Sequence, residues 1–189
     1  MEQTTIKRVE LLAPAGDIAS LRAAIEAGCD AVYLGGKQFG ARAYSNNFTR
    51  EDLVEAIKLC HLYGVKVYVT CNTIIYENEV PSFLDYVRFL HQNNVDAILI
   101  QDLGMLDLVR KKFPNLEIHS STQMHIHNLD DVKLMEMLGV KRVVLARETS
   151  IDTIKDIKAH SNIDLEIFVH GSLCISYSGE CLMSSLIGG

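Results

Sequence analysis

The sequence predicts an α/β fold: a (β/α)8 TIM-like barrel, incomplete, with about seven strand–helix units. Three observations predict it. Short apolar runs alternate with helix-patterned segments along the whole chain. Successive runs lie roughly 20 to 35 residues apart, as a strand–helix–strand unit requires. Each run leads into residues that form hydrogen bonds or ionise, as at the C-terminal mouth of a barrel.

The strand candidates are Val9–Leu12, Ala31–Leu34, Val65–Val69, Ala97–Ile100, Glu117–His119, Arg142–Leu145 and Leu165–Val169. They are rich in Val, Ile, Leu and Tyr, the composition of strands covered on both faces. The helices between them carry punctuation. Asp17 caps Ile18–Ala27 and Gly28 ends it. Thr49, three before Asp52, caps Arg50–Tyr63, which Gly64 ends. Pro81 suits the first turn of Ser82–Gln92. Arg110-Lys111-Lys112 marks a helix C-terminus, where cations suit the dipole. Asn128 caps Leu129–Leu138, ended by Gly139, and Ser150 caps Ile151–Ala159. Cys29-Asp-Ala-Val echoes Val95-Asp-Ala-Ile, and Gly64-Val-Lys echoes Gly139-Val-Lys, as repeated units would. An open doubly wound sheet is the alternative, but Ala13-Pro-Ala-Gly16 lacks the glycine fingerprint of its phosphate turn.

At 189 residues and 48% hydrophobic, the chain has the mass for one sizeable core. No apolar stretch approaches the ~20 residues of a membrane span, so no membrane partner is expected. Met1 to Arg8 is polar and lacks a signal-peptide core, which makes the cytoplasm the expected location. Five cysteines without a secretion signal argue against a disulfide framework. A net charge of −6 supplies no basic stripe for nucleic acid.

The strand ends assemble a polar bowl. They carry Asp17, Arg42, Asn72, Asp102, Gln123, Arg147, Glu148 and His170. Asp17 reads best as a cap, and Asn72 and Asp102 read equally as ties between loops. Arg42 stands in a Gly- and Asn-rich loop, and its planar fork suits a carboxylate or phosphate. Arg147-Glu148 reads as a local ion pair or as half of a functional network. His125 and His127, two apart, could turn two imidazoles to one side, but a metal needs further ligands. Cys29 and Cys60 read as small hydrophobes, and Cys71 is open.

The most informative stretch is Glu166-x-Phe168-x-His170-Gly171-Ser172-Leu-Cys174-x4-Gly179-x-Cys181-x2-Ser184. On a helix, the seven-residue spacing of Cys174 and Cys181 would place both thiols on one face. This stretch closely resembles the signature of the collagenase-like peptidases, peptidase family U32. The resemblance extends to Glu10-Leu-Leu-Ala-Pro-Ala-Gly16, Gly28-Cys-Asp-Ala-Val-Tyr-Leu-Gly-Gly36, Arg42 to Phe48, Ser120-Ser-Thr-Gln123 and Val144-Leu-Ala-Arg147-Glu148.

The resemblance implies a barrel-like N-terminal domain within a protein about twice this length or more. It also implies a four-iron–four-sulfur cluster on four cysteines, with Cys174 and Cys181 as the first two ligands. Relatives hydroxylate a base of transfer or ribosomal RNA, or a ubiquinone precursor, and the RNA-acting branches use prephenate. Seven strands are one short of a barrel, and the chain stops eight residues after Cys181. The expectation is therefore one domain, 1–189, the N-terminal part of a longer protein. The remaining cluster ligands and the RNA-binding region would lie beyond it.

Three functions follow as expectations. The first is a cluster-dependent RNA-base hydroxylase. Here His170, Arg147 and Glu148 serve catalysis, and Arg42, Asn72 and Gln123 hold a small anionic co-substrate. The second is a collagenase-like peptidase acting on a peptide through Ser172 or Cys174 with His170. It lacks both a G-x-S-x-G elbow and an H-E-x-x-H motif. The third is an inert domain that folds, or pairs as a homodimer through exposed sheet edges.

Overall fold

The computed structural model describes residues 8–42, 46–172, 174–181 and 183. Seven strands run in sequence order through one parallel sheet: β1 (Leu12–Pro14), β2 (Ala31–Gly35), β3 (Lys66–Cys71), β4 (Ala97–Ile100), β5 (Glu117–Ser120), β6 (Arg142–Val144) and β7 (Asp164–Glu166). Between them lie α1 (Ile18–Glu26), α2 (Arg50–Leu62), α3 (Val80–Gln92), α4 (Leu103–Lys112), α5 (Leu129–Met137) and α6 (Ile151–His160). A strictly sequential strand order is that of a barrel wall. A doubly wound sheet reverses direction once, so that alternative is excluded.

The caps explain where the helices start. Asp17, Asp102, Asn128 and Ser150 each accept a backbone N–H from the first turn. Thr49 and Asp52 close a reciprocal capping box on α2. Pro81 sits in the first turn of α3, which begins at Val80 rather than Ser82.

Side chains alternate across β3. Val67, Val69 and Cys71 pack outward against the helices, in the main core with Leu21, Leu53, Leu90 and Leu106. Tyr68 points inward, into a smaller cluster with Ala31, Ala97, Leu99 and Val144. Each of those four leucines is fully buried, and such burial contributes about 1.5–3 kcal/mol apiece. Small inward residues at Ala31 and Ala97 leave room inside the sheet, and polar side chains occupy it.

Two strand boundaries differ from expectation by three residues, and the other strand ends by two or fewer. The first strand begins at Leu12, not Val9. The Leu11 N–H donates to the Asp30 carboxylate, Glu10 bonds to Arg142 and Tyr68, and Val9 is 85% exposed. The apolar pattern of Val9–Leu12 reported composition, while the Leu11 N–H turned to a side chain and only its carbonyl met the backbone of Asp30 and Ala31. The seventh strand ends at Glu166, not Val169. Its neighbour β6 stops at Val144, and the last bond between them runs from the Leu145 N–H to the Glu166 carbonyl. Beyond it Ile167, Phe168 and Val169 have no ladder to join and stay exposed.

Candidate functional site

A cavity of about 240 Å³ opens at the C-terminal ends of the strands. Tyr33 and Phe168 form apolar walls, Arg42 and Asn47 stand at its β2 side, and Asn72 and Gln123 line the β3–β5 side. All three residues expected to bind a co-substrate, Arg42, Asn72 and Gln123, therefore share this one cavity. Asn72 is 9% exposed and also ties the mouth together. Its Oδ1 accepts the Ala41 N–H at 3.0 Å, and its Nδ2 donates to Ser121 Oγ at 3.0 Å. Asp102 is likewise a tie: it caps α4 and accepts the Ile75 N–H at 3.2 Å.

The cysteine segment is not a helix. Cys174 to Cys181 is an irregular loop with a turn at Ser178-Gly179, so the helical-face expectation is corrected. Glycine at the turn, with φ of 82°, is incompatible with a regular helix. The loop nevertheless keeps the two thiols near enough to interact. Both are exposed. The Ser176 backbone and hydroxyl, then the Cys181 thiol and Arg147, hold the Cys174 thiol below its ordinary value.

Arg147 fastens this loop. Its backbone N–H and Nε donate to Ser178 Oγ at 3.0 and 3.2 Å. Its Nη1 donates to the Cys174 carbonyl at 2.9 Å, and Nη2 to the Ser176 carbonyl at 2.7 Å. Glu148 accepts the Ser178 N–H at 2.9 Å and lies 3.6 Å from the Arg147 guanidinium. Burial would raise the Glu148 carboxyl, but hydrogen bonds from its own backbone and Ser178, with Arg147 beside it, leave it below the usual range. Gly179 packs on the backbone of Gln123, so closely that a Cβ there would lie 2.6 Å from the Gln123 carbonyl oxygen. The turn that lines the cavity through Gln123 thus carries the cysteine loop on its other side.

His170 lies beyond β7, exposed, in a bend, so it does not close the seventh strand. It is not part of the cavity wall. Ser172 is exposed as well. Among the described residues no serine or cysteine side chain is hydrogen-bonded to a histidine. His125 and His127 have ring centroids 5.2 Å apart, and His125 lies 3.6 Å from the Glu180 carboxylate. Among the described residues no cluster of three or more His, Cys, Asp or Glu is arranged to hold a metal ion. Cys71 is fully buried, and burial pushes its thiol far up, as it does for Cys60. Ala43–Ser45 and Ser184, which belong to the family-like stretches, lie outside the described residues.

Sequence reasoning missed three residues. Ser178 is buried, accepts from Arg147 and donates its N–H to Glu148, and Tyr33 walls the cavity. Glu166 lines the cavity and lies 3.6 Å from Arg142. Period-two alternation from Phe168 back to Glu166 would have placed both on the same side of the strand. No local signal marks Ser178.

Comparison with known proteins agrees with the fold. The chain is 40% identical to a tRNA hydroxylation protein P1 of Bacillus subtilis over 95% of its length. It is 41% identical to a 23S rRNA 5-hydroxycytidine synthase of Escherichia coli over 94%. It is 35% identical to a collagenase of Porphyromonas gingivalis over 93%. The chain spans less than half of these curated relatives: 42%, 26% and 44% of their lengths. The fold matches a solved U32 peptidase with a TM-score of 0.73 at 11% identity, covering 85% of this chain and 68% of that one. A phosphoenolpyruvate phosphomutase of Streptomyces platensis subsp. rosaceus matches at a TM-score of 0.59 and 15% identity, covering 85% and 69%. At such identities these structures establish the barrel-type fold alone. The model of peptidase family U32 matches residues 16–189, and with that match and these relatives the chain belongs to peptidase family U32.

Proposed function

We propose that this chain is the barrel part of an enzyme that hydroxylates a base of transfer or ribosomal RNA, using an iron–sulfur cluster and prephenate. The observation that carries the reading is the shared turn. Gln123 lines the cavity on one side and receives Gly179 of the cysteine loop on the other. A ligand in the cavity and a group on the cysteines would therefore be neighbours. Relatives named for tRNA and rRNA hydroxylation, at 40% and 41% identity, favour this chemistry over others on the same fold.

The donor set fits half a cluster site. Cys174 and Cys181 are soft, exposed and adjacent, and Cys174 is held toward its thiolate form. The remaining ligands would come from chain outside these residues. When bound, such a cluster supplies electron transfer or an open iron site for an oxygen-bearing ligand. The chain's own residues do the rest. Arg147 and Glu148 act as positioning residues, because their bonds fix the loop that carries the thiols. Arg42 offers the charge for an anionic co-substrate, and Asn72 and Gln123 orient it with directional amides. His170, exposed and four residues before Cys174, is the histidine nearest in sequence to the thiols and a candidate proton carrier. The acidic chain leaves the main grip on RNA to another region.

Anaerobic iron and sulfide reconstitution of the full-length protein tests the reading. A brown four-iron species in the wild type, lost in Cys174→Ser and Cys181→Ser, is expected. A wild type that takes up no iron would sink it. Proteolysis is the second reading, and the collagenase relative is what favours it. It predicts gelatin cleavage that depends on Ser172 or Cys174, in protein free of contaminating proteases.

A further inference from the structure

Inside the sheet, two carboxylates compete for one guanidinium. Arg142 of β6 donates from Nη1 to Glu10 Oε1 at 2.6 Å. The same oxygen accepts the Tyr68 hydroxyl at 3.0 Å. Glu166 of β7 reaches the same Nη1 from the other side, but only at 3.6 Å. Its Oε2 is buried and has no hydrogen-bond partner. Two negative charges and one positive in so little water favour a proton on one carboxyl. Glu10 has the direct bonds and keeps its charge. Glu166 has the long contact and the unbonded oxygen, so of the two it is the carboxyl better placed to hold a proton.

Electrostatic directions agree. Burial opposes ionisation of Glu10, but Arg142 and Tyr68 overcome it and hold that carboxyl below its ordinary value. Burial pushes Glu166 up, and Arg142 offsets this only in part while Glu10 adds to it. The other groups facing this centre are Tyr33 of β2, with Arg42 beyond it, Lys66 of β3, which acts on Glu10, and His119 of β5, packed edge-on to Tyr68 with Glu117 3.9 Å away. Burial pushes the Tyr33 hydroxyl up and favours neutral His119, so neither supplies Glu166 with a second counter-charge.

Glu166 also lines the cavity, together with Phe168, Tyr33 and Val144. We propose that Glu166 is the proton-transfer residue of this cavity, entering the reaction as a neutral carboxyl that faces the ligand, with Arg142 and Glu10 behind it as positioning residues. The inference rests on the reading of the cavity given above. The ligand is a small molecule bearing a hydroxyl or carbonyl oxygen, of a size for about 240 Å³. In the step, the O–H bond of the Glu166 carboxyl breaks and an O–H bond forms on the ligand oxygen. No electrons change centre, and the carboxylate left behind is met by Arg142. Return of one proton from the ligand or solvent resets it.

Glu166→Gln keeps the side chain's size and removes the proton. In the full-length enzyme, kcat for hydroxylation should fall about 100-fold while KM stays within about threefold. Infrared titration gives a readout independent of activity. The wild type should show a protonated carboxyl band that persists to higher pH than the surface carboxylates. That band should be absent in Glu166→Gln, and it should move to lower pH in Glu10→Gln, where Arg142 is released to Glu166. A kcat within about threefold of wild type, or no such band, overturns the assignment. A wild type that shows the band but hydroxylates no RNA refutes the function proposed above, while the placement of the proton on Glu166 stands.

Discussion

Arg147 directs its backbone and side-chain donors to one short loop, and this sets the Arg147-Glu148 pair against the cysteine segment. The sequence left two readings open, a local ion pair or a functional network. The contacts join them: the pair is local and its object is the cysteine loop. Arg147→Lys keeps the charge but cannot reproduce the fork, and loss of charge-assisted bonds costs about 2 kcal/mol. Limited proteolysis should then cut between Cys174 and Cys181 several-fold faster, with the rest of the chain unchanged. The cysteines divide by burial. Cys174 and Cys181 are exposed, whereas Cys29, Cys60 and Cys71 are buried. Thiol titration of the cluster-free native protein should find two fast groups, with the other three reacting after denaturation. Cys29 and Cys60 were legible as small hydrophobes. The partners of Arg147 were not, because contacts with residues some thirty positions away leave no periodic trace in sequence.

At the scale of elements, helix starts were the most legible feature. Asp17, Thr49, Asn128 and Ser150 all cap where the sequence placed them, because a cap is a local pattern of a few residues. Thr49→Ala breaks the capping box on α2 and should lower stability by about 1 kcal/mol, measured by chemical denaturation. Strand ends were less legible. Residues Val9 and Ile167 to Val169 have strand composition but no neighbouring ladder, and a ladder is a tertiary property. The cysteine loop follows the same rule: spacing alone suggested a helix, and Gly179 prevents it. Gly179→Ala would add a Cβ 2.6 Å from the Gln123 carbonyl in a backbone conformation with φ of 82°. The loop should lift from the Ser121–Met124 turn, with faster amide exchange at both.

Across the whole molecule, the curled sheet gives the chain a dry outer core and a polar interior. Alternation of Val67, Tyr68 and Val69 announced two covered faces, but only the closed packing shows that the inner face carries Glu10, Arg142 and Glu166. That interior predicts a pH dependence of defined sign. Glu10 is depressed in the fold, so its contribution is present above about pH 4.5 and is lost as pH falls through its folded value. Glu166 is raised, so its contribution is present below about pH 4.5 and declines as pH rises through its folded value. Thermal melts should therefore show wild type losing stability relative to Glu166→Gln as pH rises across that window. The sheet edges matter as well. Val9 and Leu11 are exposed just before the first strand, and Ile167 and Val169 just after the last. Sedimentation of the 189-residue chain should show association that grows with concentration, and lysines at 167 and 169 should suppress it.

The central claim is that the cysteine loop and the cavity form one hydroxylating site for an RNA base. Nucleoside mass spectrometry tests it most directly, on RNA from cells lacking the gene and complemented with the full-length protein. The account predicts that wild type restores one pyrimidine heavier by a single oxygen and that Cys174→Ser does not. Unchanged nucleosides on loss of the gene, or full restoration by Cys174→Ser, would contradict it.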